Sequence, residues 1–329
     1  MTADTKPAIL LTGAGALGLF FTSRIAELAD IFVYARSDRD ALKRSGGVYE
    51  IRSEKLGDSL FRPAGILEMD ETPDFEPDYL FVCLKALDGL DQPAICRNAV
   101  SRNTVIVIIE NGLGNEEPFR KAFPDNVIIS TAAYLGASRS EPGVVRHTDG
   151  GRLVFGLYHE PDGISGQAPL ESLAGLFNTA GIPAEITDNI RQKRWIKLLW
   201  DIGFNPVSVL ANDADTEQLL GNPFTAALIR ELMNELCAIA AADGIVIPPE
   251  VVDDTIAYSE QFAAYRPSML QDFAVGKAIE LDAILGVPLR LAERYQVPAP
   301  CLKTVYALMT VAARKDHPVP AAAERRPDK

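Results

Sequence analysis

The sequence predicts an α/β chain, with a doubly wound, mostly parallel sheet first and an all-α domain behind it. Three observations carry this. Continuous apolar runs alternate with helix-spaced stretches through the first half. The turn Gly13-Ala14-Gly15-Ala16-Leu17-Gly18 follows the first run and opens the first helical stretch. Beyond Asp188 strand-like runs nearly vanish and helical spacing takes over.

The elements follow in order. Pro7 to Thr12 (PAILLT) is a short apolar run that breaks into glycines, and Ala16 to Leu28 then has helical spacing. Ile31 to Ala35 (IFVYA), Tyr79 to Leu84 (YLFVCL) and Thr104 to Ile109 (TVIVII) are further runs. Unbroken runs separated by helical stretches read as strands covered on both faces. Val48 to Ile66 reads as a small strand-rich insertion around Gly57-Asp58, and Val127 to Ala133 as another strand. Val144 to Leu157, with Asp149-Gly150-Gly151 at its middle, reads as a hairpin. Helical spacing marks Arg191 to Leu210, Pro223 to Asp243, Pro249 to Gln261, Met269 to Leu285 and Leu302 to Lys315. The expected organisation is therefore a sheet domain over 1–188, a helical domain over 189–316 and a disordered tail over 317–329, rich in Pro, Ala and charge.

Composition narrows the function. A chain of 329 residues has room for about two domains, and 47% hydrophobic residues suffice for a real core. The net charge of −13 argues against nucleic acid or an anionic membrane surface as partner. No run approaches the roughly 18 apolar residues of a membrane-spanning helix, and the start MTADTKP lacks the basic and apolar regions of a signal peptide. Cys83, Cys96, Cys237 and Cys301 are far apart and form no Cys-x-x-Cys pair. That fits a reducing cytoplasm better than a disulfide framework or a zinc site. With three histidines, no metal site is expected.

The glycine turn is a G-x-G-x-x-G in the required context, after a strand and opening a helix. Gly13 permits the tight turn, Gly15 lets the backbone approach a pyrophosphate, and Gly18 lets the helix pack closely on the sheet. The amides of Ala14, Ala16 and Leu17 complete a cradle at a helix start. This marks the first domain as Rossmann-like. The end of the second strand then selects the cofactor. An acid there would accept from the ribose of NAD, but this sequence has Tyr34-Ala35-Arg36-Ser37. Arg36 offers a fork of donors suited to a 2′-phosphate, which favours NADP. Asp38 nearby keeps the NAD reading open. Lys85 ends the YLFVCL run and Asn111-Gly112 ends TVIVII. Four consecutive strand ends thus carry ligand-capable groups on one edge, although each residue alone reads equally well as a surface lysine or a turn asparagine.

In the helical part, Lys197, Asp201 and Asn205 recur at i, i+4 and i+8 in an otherwise very apolar segment. On a helix they lie within about 80° of one another. A cation on a buried stripe is costly unless paired. Either Lys197 and Asp201 form an ion pair, or Lys197 serves acid–base chemistry with a pKa lowered by burial. Pro206 should break the helix ladder there. Ser268, after Pro267, looks like a helix N-cap, and Glu280 like an ordinary helix glutamate. A straight helix would separate these two by roughly 18 Å. Both reach one small substrate only if the helix breaks, and Gly276 is the place for that.

Together these pieces resemble the ketopantoate reductase family over nearly the whole chain. The resemblance rests on GAGALG, the Val82-Cys83-Leu84-Lys85 strand end, Asn111-Gly112-Leu113-Gly114, the Lys197 helix with Asn205-Pro206, Ser268-Met269-Leu270-Gln271-Asp272, and Glu280. It implies NADPH-dependent reduction of a 2-oxo acid, ketopantoate, to the 2-hydroxy acid pantoate. In that scheme Lys197 is the general acid and Glu280 holds Lys197 and the substrate hydroxyl. Ser268 and Asn205 bind substrate oxygens. Asn111 lies near the nicotinamide and orders Lys197, Lys85 helps bind cofactor or substrate, and Arg36 matches the family's arginine for the 2′-phosphate. Asp201, the fourth residue of the implied substrate site, stands where the family usually carries asparagine. An ionised aspartate only accepts hydrogen bonds and repels a substrate carboxylate, so another branched 2-oxo acid stays open as substrate. A related dehydrogenase of 3-hydroxy acids and a non-catalytic NADP-sensing protein are the other readings. An apolar helical domain commonly buries a face in a homodimer, the partner state expected on base rates.

Overall fold

The structure is a computed structural model that describes residues 6–35, 38–69, 71–261 and 264–315. It divides between Lys197 and Leu198 into two compact units.

The first unit is built on a mixed sheet with ten strands among the described residues: β1 (Ala8–Thr12), β2 (Asp30–Tyr34), β3 (Tyr49–Ser53), β4 (Ser59–Phe61), β5 (Gly65–Leu67), β6 (Tyr79–Val82), β7 (Val105–Ile108), β8 (Ile128–Glu141), β9 (Val144–His159) and β10 (Ala184–Ile186). The spatial order is β4-β3-β9-β8-β7-β6-β1-β2-β5, with β10 also on β9. From β5 to β8 the neighbours are all parallel. From β1 the chain first fills one side with β2, then crosses to β6 on the other. That reversal opens a crevice at the carboxyl ends of β1 and β6, where doubly wound sheets take ligands.

The apolar runs become strands because both of their faces are covered. Ile9, Leu11, Phe81 and Val107 point into one core, shared with Leu19, Phe20 and Phe21 of α1 (Ala16–Ile25). Leu10, Leu80, Val82, Ile106 and Ile108 point into the other. Covering that face are Cys96 of α3 (Gln92–Cys96) and Phe119 of α4 (Glu116–Ala122), numbered after α2 (Arg39–Arg44).

Two expectations are corrected. β8 and β9 form a long antiparallel hairpin whose turn is at Pro142-Gly143, not at Asp149-Gly150-Gly151. Gly150 sits instead in a β-bulge within β9, where Tyr134 pairs Arg152 but Leu135 pairs Gly150. A Cβ there would lie 2.6 Å from the Tyr134 carbonyl oxygen, so the glycine serves close approach rather than chain reversal. The Val48 to Ile66 insertion also divides. β5 belongs to the doubly wound sheet beside β2, while β3 and β4 extend the far edge on β9.

After α5 (Gln167–Thr179) and β10, the long α6 (Ile190–Leu210) carries the chain through the division between units. Pro206 does not end it. Ile202, Phe204, Val207 and Val209 are buried around it, and that packing holds the helix despite one missing ladder bond. The second unit continues with α7 (Thr216–Gly221), α8 (Pro223–Ala242), α9 (Glu250–Glu260), α10 (Ser268–Ala274), a π-helical turn at Asp282–Gly286, α11 (Val287–Tyr295) and α12 (Pro300–Lys315). Its centre is α8, whose Ile229, Leu232, Met233 and Leu236 are fully buried. At Gly203 α6 packs so closely that a Cβ would meet Met233 Cε at 2.8 Å. Among the described residues, no helix is long and apolar enough to cross a membrane.

Candidate active site

The glycine turn leaves β1 and opens α1 at the crevice. Gly13 adopts φ +95°, and a Cβ on it would lie 2.3 Å from the Cys83 carbonyl oxygen after β6. The Gly18 Cβ would meet the Gly13 oxygen at 2.7 Å and Leu11 Cδ1 at 2.8 Å. These two glycines hold the turn and helix against the sheet. Gly15 is different: a Cβ there would meet nothing within 4 Å. It is also the α1 N-cap, with no side-chain cap and no acid in the first turn. The first-turn amides therefore lack both an intrahelical partner and a competing carboxylate. An open backbone cradle at a helix start is what a pyrophosphate requires, so these residues fit a dinucleotide.

Arg36 lies outside the described residues. Asp38, two residues beyond it, is buried. Its carboxylate is ion-paired with Arg139 of β8, whose guanidinium also donates to the Ala14 carbonyl inside the glycine turn. Lys85 follows β6, half-buried, and its carbonyl accepts from Gln92 Nε2 at 3.1 Å. Beside it the Cys83 thiol is pushed well up by burial and by Glu110, which leaves it inert.

Lys197 on α6 and Asn111 after β7 meet within the first unit. Lys197 Nζ donates to Asn111 Oδ1 at 2.8 Å, and both residues are half-buried. The Asn111 carbonyl accepts from Asn115 Nδ2 at 2.8 Å. The loop is fixed from below by a residue that the motifs did not single out. Arg194, buried one turn before Lys197, donates to the carbonyls of Glu110, Gly112 (2.9 Å) and Thr131 (2.9 Å). Its Nε lies 3.3 Å from Glu116 Oε1, which also accepts from Ser130 Oγ at 2.5 Å. One guanidinium thus clamps both sides of Asn111. The sequence carries little signal for it, because Arg194 follows the polar run Arg191-Gln192-Lys193.

In the second unit, Asp201 and Asn205 are buried. Asn205 Nδ2 donates to Asp201 Oδ1 at 3.3 Å, and Asn205 Oδ1 accepts from the Met269 amide at 3.1 Å. The Asn205 side chain therefore caps α10. Ser268 is not the N-cap but the first helical residue, half-buried, after Pro267. The continuous helix expected over Met269 to Leu285 is interrupted. α10 stops with Lys277 N–H donating to the Asp272 carbonyl at 2.9 Å and Gly276 at φ +66°, a Schellman ending. Glu280 is half-buried just before the following helical turn, and its carbonyl accepts from the Ile284 amide at 3.3 Å. The chain break that a shared role for Ser268 and Glu280 demands is present. Among the described residues, no group of three or more His, Cys, Asp or Glu side chains could hold a metal ion.

The family model described as ketopantoate reductase PanE/ApbA matches residues 9–160, and its C-terminal counterpart matches 189–313. A 2-dehydropantoate 2-reductase of Nostoc sp. is 28% identical over 306 residues, 92% of this chain and 93% of the relative. The crystal structure of 2-dehydropantoate 2-reductase from Methylococcus capsulatus is 37% identical with a TM-score of 0.84, covering 95% of this chain and 98% of that one. That from Geobacter metallireducens GS-15 is 30% identical with a TM-score of 0.85, covering 93% and 99%. Two family models in tandem and matches of nearly full length on both sides lead to one conclusion: the chain belongs to the ketopantoate reductase family.

Proposed function

We propose that this protein reduces ketopantoate to pantoate with NADPH, with Lys197 as the general acid. The observation that carries the reading is the 2.8 Å hydrogen bond from Lys197 Nζ to Asn111 Oδ1, on a loop clamped by Arg194. The bound nicotinamide supplies the hydride to the ketone carbon. The glycine turn and the α1 amides hold the pyrophosphate, and Arg36 holds the 2′-phosphate. Lys85 assists at the strand end. Asn111 orients the Lys197 ammonium, which gives one proton to the ketone oxygen as it becomes a hydroxyl, and solvent returns that proton to Nζ. Ser268 and Glu280 bind substrate oxygens. Asn205 acts by holding the start of the Ser268 helix, since both ends of its amide are already engaged.

The family relationship supports the substrate, and Asp201 is the residue that tests it. NADPH consumption is followed with ketopantoate, 2-oxoisovalerate and pyruvate, with NADH as control. Turnover on ketopantoate well above the others is expected. Preference for another oxo acid moves the substrate and keeps the chemistry, while tight NADPH binding without turnover on any of them overturns the enzymatic reading. Lys197→Ala should lower kcat by roughly 10²–10⁴-fold, and a variant with near-normal kcat removes Lys197 from the role of acid.

A further inference from the structure

We propose that Arg139 determines the preference for NADPH by neutralising Asp38, an inference that rests on the NADPH reading above. Asp38 is the first acid along the chain after the end of β2, the region from which a carboxylate in a doubly wound sheet accepts from the ribose of NAD and repels a 2′-phosphate. Here it is taken out of that role. Its carboxylate is 2% exposed and ion-paired with Arg139, which reaches it from β8, 101 residues along the chain.

Three further observations bear on the pair. Asp38 stands at the N-cap of α2, where an aspartate ordinarily caps its own helix. Its side chain makes no such bond, so Arg139 has drawn it away. The other arm of the guanidinium donates to the Ala14 carbonyl, tying the start of α2 to the glycine turn. Tyr49 faces the same pair: burial and then the Asp38 charge push its hydroxyl up, with Arg139 acting against them. Without Arg139 a bare carboxylate would remain beside the ribose subsite. It would repel a dianionic phosphate more than a phosphate-free ribose, so the loss appears as a ratio between cofactors.

The test needs binding only. Dissociation constants for NADPH and NADH are measured by calorimetry on the full chain, for the wild type, Arg139→Gln, Arg139→Lys and Asp38→Asn/Arg139→Gln. Expected is an NADPH preference in the wild type that falls at least tenfold in Arg139→Gln. It is retained in large part in Arg139→Lys and recovered in the double variant, which has no uncompensated charge. The double variant also carries the test if Arg139→Gln fails to fold. Equal weakening of both cofactors in Arg139→Gln overturns the inference, because a merely structural guanidinium would act on both alike. A double variant without the preference also overturns it, since Arg139 would then contact the phosphate itself. A wild type that binds NADH as tightly as NADPH overturns the NADPH reading, and this inference with it. A wild type that prefers NADPH, beside an Arg139→Gln that keeps the full ratio, overturns this inference alone.

Discussion

A buried guanidinium is costly unless its donors are used, and Arg194 spends them on the loop that presents Asn111. Arg194→Met leaves the buried Glu116 without its Arg194 partner and three carbonyls short of a donor. Breaking a buried pair from one side costs about 3–5 kcal/mol, read as a lower urea midpoint. Arg194→Lys keeps the charge and loses the fork. That variant should fold, yet lower kcat more than it raises KM, because the Lys197–Asn111 alignment loosens; an unchanged kcat would make the clamp purely structural. Lys197 was legible in the sequence as a cation amid apolar neighbours. Arg194 was not, because it follows the polar run Arg191-Gln192-Lys193 and most of its partners are backbone carbonyls 63–84 residues away, and carbonyls leave no mark in a sequence. His147 illustrates the same limit. Its Nδ1 lies 2.8 Å from Ser53 Oγ, its Nε2 lies 3.0 Å from the Asp149 carbonyl, and Phe20 covers the ring. Burial lowers its pKa below 6.5. The unfolded chain therefore takes up a proton that the folded one refuses, and stability is lost as pH falls from 6.5 through the folded value. His147→Gln should flatten the urea midpoint across that window relative to the wild type, and an unchanged slope would assign the acid sensitivity elsewhere.

Two helices of the second unit, α10 and α12, start with the help of side chains from other helices, whereas α7 and α8 are capped locally by Asp215 and Asn222. Asn205 of α6 caps α10 through the Met269 amide, and Glu235 of α8 accepts from the amides of Cys301 and Leu302 at the start of α12, both at 2.8 Å. Asn205→Ala should cost about 0.5–2 kcal/mol, the value of a lost cap, and should raise KM for the oxo acid by displacing Ser268. Ser268→Ala should raise KM with little change in stability. If Asn205→Ala changes KM without any change in unfolding midpoint, Asn205 touches substrate directly. Capping at a distance explains why the sequence suggested Ser268 as its own N-cap: a local rule was applied where the acceptor comes from 64 residues away. The break at Gly276 was legible, because glycine is the residue that ends a helix in a left-handed turn. Helix α11 was not, because Pro288 reads as a breaker. It lies in the first turn of α11, directly after the π-helical turn Asp282–Gly286, and the helix runs on through it. The hairpin was misplaced for a related reason. Asp-Gly-Gly serves a bulge as well as a turn, and only the pairing of β8 with β9 distinguishes them.

The doubly wound sheet was legible because its strands are apolar on both faces, and the crevice followed from the glycine turn at its switch point. The two contacts at that turn make the cofactor's effect on stability separable from the fold's own. Gly18 is closed in by the Gly13 oxygen and Leu11, both under 3 Å from where a Cβ would be. Gly18→Ala must shift backbone or core, so it should cost about 1–3 kcal/mol in the apo protein. Gly15 has φ −81° and ψ −176°, an extended conformation open to any residue, with empty space where its Cβ would project. Gly15→Val meets no neighbour and should therefore cost the apo protein no more than about 1 kcal/mol, the preference of an N-cap for glycine over valine, while its side chain fills the cradle. Ligand at about 100 times Kd stabilises the folded state by about 2.7 kcal/mol, some 5–10 °C in Tm for a unit of this size. NADPH should raise the wild-type Tm by that much, raise that of Gly18→Ala from a lower start, and leave Gly15→Val unmoved. If Gly15→Val shifts as far as the wild type, the pyrophosphate is not held at this helix start, and the role assigned to the open glycine is wrong even though the turn is correctly folded.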